Sequence, residues 1–481
     1  MVPVRQTVLD FGATGDGVTD DAQAFKDALA ALPAEGGAVL VPAGTYLLRS
    51  TIRLGDGAVL RGQGAVYTRL RFDLGGGGSN CIEAITYERG SWVSVQSGYD
   101  KGSTALTVAD ASEFVAPTFA EIQQTNDPDL MYTDPEWDQT WAADSVGEVV
   151  RVIGKNGNQL TLASPLHFSY DPNMNPLIRP QGFVERAGIE YLHIERLDAG
   201  DGHTILFKNA AWVWMRGVES DTTYRAHVST DTVYGCEVRD SYMHHSHDYG
   251  GGGHGYGTNL GRHTTNCLIE NNIFVSLRHA MLVQVGANGN VFAYNYSREP
   301  VSQDTWSPPD ISLHGHYPFY NLFEGNIVQE TAVSDYWGPV GPGNTFLRNC
   351  VQFEGLWIDD ESHDQNVVGN TLTDGPGNDI SIDSSVDGTL VHGNWVDGAI
   401  QWDPGIPNHT IPNSYYLNAR PSFYGADPWP SIGGDLGPVC SNPAFERWED
   451  GKATPGVSAI FSDGFESGST GFWSVTLPPG S

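Results

Sequence analysis

Two stretches of the chain carry side chains that can move protons near neutral pH. The first runs His244-His245-Ser246-His247-Asp248-Tyr249, continues through glycines at 250–253, and ends His254-Gly255-Tyr256. The second, residues 297–318, holds Arg298, Asp304, Trp306, Asp310, His314, His316 and Tyr317. Between them lies Leu277-Arg278-His279-Ala280-Met281. Histidine and tyrosine can exchange protons, whereas arginine keeps its charge and suits a carboxylate. The combination fits removal of a proton beside a carboxylate. That reaction needs a base, an acid for the leaving oxygen, and a cation or donor that neutralises the carboxylate. His254, Tyr256 and His279 are the base and acid candidates, and Arg278 is the neutraliser, with Arg225 and Arg262 in support. His247, Asp248, His316 and Asp335 are candidates for gripping a substrate, and Trp306 and Trp337 for stacking on it. Ca2+ could share the neutralising task because carboxylates are plentiful, although no ligand-spacing motif marks a site. The bland alternative is a solvated face, but six histidines crowded into two short stretches argue for a cleft.

These groups meet only if the chain stacks them. Between residues 185 and 400 it repeats: Asn266-Cys-Leu-Ile-Glu-Asn271, Asn290-Val-Phe-Ala-Tyr-Asn295, Asn321-Leu-Phe-Glu-Gly-Asn326 and Asn344-Thr-Phe-Leu-Arg-Asn349 align. The equivalent positions are Ile194, Gly217, Asp240, Asn271, Asn295, Asn326, Asn349, Asn370 and Asn394, giving steps of 23, 23, 31, 24, 31, 23, 21 and 24. A period of about 23 residues with asparagine at one turn predicts a parallel β-helix, in which stacked amides bond along the axis. The two 31-residue steps flank one ordinary coil. At roughly 4.8 Å per coil, both overlong turns rise around a patch on the order of 10 Å tall. Counting forward from the anchors sets His247 level with Arg278; counting backward sets His254 there.

The chain opens Val8-Leu9-Asp10-Phe11-Gly12-Ala13-Thr14-Gly15-Asp16-Gly17-Val18-Thr19-Asp20-Asp21. A helix is predicted next, with Phe25, Ala28, Leu29 and Leu32 on one face and Thr19, Asp20 and Asp21 at its start. The run DFGATGDGVTDDAQAF followed by GGAVLVPAGTY resembles the beginning of the pectate-lyase-like superfamily. That group includes polygalacturonases, alginate epimerases, glucanases and phage tailspikes. The resemblance implies an all-β, right-handed parallel β-helix with an N-terminal capping helix. Leu277-Arg278-His279-Ala280 also loosely resembles the Arg-His-Gly segment of chondroitinase-B-like and alginate lyases. Those enzymes pair the arginine with a lysine one coil earlier, where this chain offers His254.

The expectation is therefore a secreted or periplasmic polysaccharide lyase acting on a uronic-acid glycan by β-elimination. A glycoside hydrolase is the alternative. It needs two carboxyl groups across the scissile bond, available from Asp304, Asp310, Asp335, Asp359, Asp360 and Glu361, with Trp357 as a further platform. The polygalacturonase order is absent, because Gly253-His254-Gly255 precedes Asp359-Asp360, and the epimerase pattern Asp-Pro-His-Glu does not occur. A non-catalytic adhesin or tailspike-like binder is the third reading; it would use aromatic platforms without needing clustered histidines.

Charge narrows the partners. With 58 acidic against 25 basic residues, the net charge of −33 disfavours nucleic acid and anionic membranes. It also weighs against a polyanionic glycan unless local arginines overcome it. No apolar run is long enough to span a bilayer. Met1 is followed directly by mature-looking sequence with no leader pattern, and a monomer is expected. Five scattered cysteines indicate neither a zinc motif nor a dense disulfide framework, and Cys236 and Cys267 should stack as buried thiols. The expected organisation is a cap and first coils over 1–91, an inserted β unit over 92–183, and the repetitive coils over 184–405. A C-terminal coil packed on the helix follows over 406–455, then a tail over 456–481. The inserted unit carries an aromatic loop with Tyr132, Trp137 and Trp141, set either over the cleft or on the helix wall.

Overall fold

The computed structural model describes residues 1–455 apart from Asp304, Asp335, Asp374 and Pro376. The Asp335 and Asp304 candidates and the tail thus lie outside the described residues. The chain is a right-handed parallel β-helix. One wall is a twelve-stranded parallel sheet running from Val4–Thr7 to Leu390–His392. On another wall Ile205–Ala211, Ala226–Tyr234, Tyr256–Leu260, His279–Val283 and Ile311–Leu313 stack in order. Successive strand residues point to opposite faces. Met281, Val283, Ile311 and Leu313 are accordingly buried in the common core. Phe292, Phe323 and Phe346 lie face to face inside, with centroids 4.9 and 5.1 Å apart, close to the coil spacing.

Asparagine holds the corners. Asn272, Asn295, Asn326, Asn349, Asn370 and Asn394 form a ladder in which each Nδ2 donates to the next Oδ1 at 2.9–3.0 Å. The second amide proton goes back to a main-chain carbonyl, as from Asn326 to Phe292 at 2.9 Å. A parallel ladder links Asn290, Asn321 and Asn344. The rung is Asn272 and not Asn271, whose side chain instead bonds Asp240. The rung before it is Ser241, whose amide donates to Asn272 Oδ1. The long step survives this one-residue correction.

At the N-terminal end, Phe25 and Ala28 of the helix Ala22–Ala30 close the core. Asp20 accepts from the Ala22 amide at 3.1 Å. Asp21 makes no cap bond to the helix; it accepts from the amides of Thr14 and Gly15, at 2.7 and 3.1 Å, and pins the glycine turn. Both carboxylates are structural.

Between Val93–Ser97 and Leu177–Gln181 six strands close an antiparallel barrel with its own core of Leu106, Ile122, Val150 and Ile178. Ala58–Arg61 pairs directly with Gly188–Glu190, so the stack continues as if nothing intervened. The barrel is bolted to the helix by a buried pair, His263 Nδ1 and Glu121 at 2.7 Å. Burial pushes the Glu121 carboxyl up, but His263 and Arg179 more than offset this and hold it at about 2.

Cys236 and Cys267 are free, buried and adjacent, the Cys267 sulfur accepting from the Cys236 amide. Cys350 and Cys440 form a disulfide that the sequence did not signal. It ties the C-terminal coil to the helix across 90 residues. Closing so long a loop limits the unfolded ensemble, typically by about 2–4 kcal/mol. Cys440→Ser is expected to melt at the temperature of the reduced wild type, and reductant should not lower it further. No helix among the described residues is long and apolar enough to cross a membrane.

Candidate functional site

Parallel pairing sets Tyr256 beside His279 and Ala226 beside Tyr256. Gly255 is therefore level with Arg278, whose amide donates to the Gly255 carbonyl at 2.7 Å. Neither sequence count is right: His254 falls one place short, and His247 belongs to the strand end before the loop. Even so, the glycine-rich segment lies against the 277–281 wall, because Arg278 Nη1 donates to the Gly250 carbonyl at 2.7 Å. The two overlong turns also touch, Gln303 Nε2 reaching Asp248 at 3.2 Å.

His254 turns to acidic neighbours. Its Nδ1 is 3.3 Å from Asp248 and its Nε2 3.6 Å from Asp201, while the Tyr224 ring meets it edge-on at 4.8 Å. Arg225 grips Asp201 with Nε at 2.5 Å and Nη2 at 3.3 Å. Asp248 is held below the usual carboxylate range, first by the Gly250 amide and then by His254. His247 donates Nε2 to the Arg196 carbonyl at 2.9 Å. This half of the site is a charge-balanced rim.

The other half is aromatic. His279 is fully buried, and its Nδ1 lies 2.8 Å from the Pro309 carbonyl. A carbonyl only accepts, so Nδ1 carries a proton. Tyr256 lies 5.2 Å from that ring, Trp306 at 6.1 Å and His314 at 6.4 Å. Trp306 is exposed, and the Arg278 guanidinium sits 5.6 Å from its centroid. The second overlong turn thus roofs His279. His314 continues to Trp337 at 6.5 Å, and Trp337 to Trp141 of the barrel loop at 5.9 Å.

The remaining candidates brace this trough. His316 is buried, with Nε2 donated to the Trp137 carbonyl at 3.0 Å. Arg262 donates to the Trp141, Ala143 and Asp144 carbonyls. The barrel loop therefore does both things open to it. Trp137 packs against the helix, and Trp141 stays exposed at the rim.

Sequence reasoning missed Glu330, an acid set within the apolar strand Ile327–Val333. Trp357 Nε1 donates to its Oε1 at 2.8 Å, and Oε2 has no hydrogen-bond partner among the described residues. Burial, with Glu354 and Asp310 nearby, pushes its carboxyl up to about 7. Burial also raises Asp310 to about 6, though Ser297 and the Gln329 and Glu330 amides occupy both its oxygens. For an acid raised in the fold, stability is full below the unfolded value and declines as pH climbs through the folded one. Glu330 should thus cost about 3 kcal/mol between roughly pH 4.5 and 7. Glu330→Gln is expected to flatten that part of the melting-temperature profile from pH 5 to 8.

Residues 6–124 match the family described as rhamnogalacturonase A/epimerase, pectate lyase-like. Among solved structures the chain is similar to the tailspike gp61 of Pseudomonas phage phi297, at 12% identity and a TM-score of 0.56, over 81% of this chain and 69% of that one. It is similar also to the tailspike protein gp49 from Pseudomonas phage LKA1, at 17% identity and a TM-score of 0.55. That match covers 77% of this chain and 65% of the other, so the chain spans just under two thirds of the LKA1 protein. A comparison with curated proteins finds no match. Likeness at such identities speaks to fold. The matched segment over residues 6–124 and the stacked coils support the resemblance to the pectate-lyase-like superfamily.

Proposed function

We propose that this protein binds and cleaves a polysaccharide in the trough roofed by Trp306, by β-elimination next to a uronic-acid carboxylate. The observation that carries the reading is the convergence of His279, Tyr256 and Arg278 beneath the Trp306 turn. His279, its ring oriented by the Nδ1 bond to Pro309, takes the role of base. Tyr256, paired in register with His279, is positioned to protonate the leaving oxygen. Arg278 would meet the carboxylate. His279 is covered, so substrate must lift the Trp306 turn to reach it. Trp306, Trp337 and Trp141 supply sugar-stacking faces, and His254, Arg225 and Asp248 a polar rim. The reading includes a location outside the cytoplasm, which the Cys350–Cys440 disulfide supports.

A second reading rests on Glu330. A carboxyl raised to about 7 can act as general acid, which suits a hydrolase on a neutral glycan and the strongly acidic chain. One experiment separates these from a binding-only protein. A panel of acidic and neutral polysaccharides is incubated with the protein while unsaturated ends are followed by ultraviolet absorbance beside reducing ends. Both signals together are expected. Reducing ends alone would favour hydrolysis, and binding without either would leave an adhesin. Under elimination, Arg278→Ala should lower turnover at least about 100-fold, the scale of losing one preorganised donor.

A further inference from the structure

We infer that Asp221, His244 and His245 form a binding site for one divalent transition-metal ion, of the zinc or nickel kind. The three ligating atoms lie within 4.8 Å of one another. Asp221 and His244 are stacked in register on adjacent coils. His245 follows at the left-handed corner shared by Thr222, Ser276 and Glu299, with φ of 61°. That corner turns its ring back toward His244, so the two Nδ1 atoms are only 2.8 Å apart, and Asp221 Oδ1 lies 3.4 Å from the first. Two imidazole nitrogens at that distance cannot both carry hydrogen. They share either one proton or one cation.

The surroundings prepare His244 for a cation. Its Nε2 faces Glu219 at 3.3 Å, and that carboxylate also lies 3.6 Å from His193 Nδ1. With Nε2–H given to Glu219, Nδ1 of His244 keeps its lone pair, the carboxylate–histidine–metal arrangement of many sites. Tyr242 stacks on the ring at 4.2 Å and fixes its plane. His245 is exposed, leaving a path for entry and room for water as a fourth ligand.

Two nitrogens and one carboxylate oxygen suit a borderline cation and not the all-oxygen cage that Ca2+ takes. Metal–nitrogen bonds of about 2.0–2.1 Å in tetrahedral geometry need the nitrogens roughly 3.3 Å apart. The exposed His245 ring would retreat by about half an ångström. The proton now between the rings moves to Nε2 of His245 as the ion binds, so each ring stays neutral and offers Nδ1 to the metal.

The full chain, first stripped with chelator, is titrated calorimetrically with ZnCl2 at pH 7.5. One equivalent should bind with a dissociation constant below about 10 μM. His245→Ala should weaken binding at least about 100-fold while melting like the wild type. Glu219→Gln, if it folds, should weaken it about 10–100-fold. No binding at 100 μM ZnCl2 would overturn the inference and leave a shared proton as the whole content of the pair. Binding that survives His245→Ala unchanged would overturn it equally, by locating the ion at other histidines.

Discussion

His279→Gln is expected to lower kcat by about 10²–10⁴-fold with little change in KM, the range for losing a positioned base. Glutamine can still donate to the Pro309 carbonyl and fills much of the same space, so the trough should keep its shape. What it lacks is a lone pair able to take and return a proton. Turnover of the most responsive glycan, measured with the melting curve, checks this. Near-normal turnover would remove His279 from the chemistry. A matching loss in Glu330→Gln would then move the centre to the acid beside Trp357.

The largest effect on stability should come from Arg348→Ala. This side chain is almost wholly buried, and it gathers the C-terminal coil by donating to the carbonyls of Ile411, Pro412 and Ile432 and to both oxygens of Asp435. Removing it leaves three carbonyls and a carboxylate without their donor. A loss of about 3 kcal/mol or more follows, at about 1 kcal/mol or more for each buried carbonyl left unpaired. Limited proteolysis should show cleavage within 407–455 well below the melting temperature of the coils. An intact C-terminal coil in the variant would mean that the disulfide and the packing of Tyr424 and Trp429 hold it alone.

The coil architecture was legible because its determinants are periodic. An asparagine every 23 or so residues is visible in a string of letters, and so is a step of 31. The exact rung was not. Asn271 and Asn272 are chemically alike, and only the corner geometry sends one inward along the ladder and the other to Asp240. The same one-residue uncertainty carried into the site, where counting could not see that Gly255 sits level with Arg278. The meeting of the two overlong turns over His279 could be inferred from spacing. The aim of each ring could not, since His254 faces two carboxylates brought from different coils. Glu330 escaped for a different reason. A lone acid in an apolar strand becomes notable only once Trp357 and its burial are known.

The barrel's first and last strands, Val93–Ser97 and Leu177–Gln181, are hydrogen-bonded neighbours. Entry and exit are therefore side by side, and a short bridge could replace the whole module without rethreading a single coil. What such an excision would strip away is the buttress behind Arg262, His263 and His316. The solenoid tolerates the guest as a spliced-in ornament, yet the stiffness of the aromatic rim is borrowed from it.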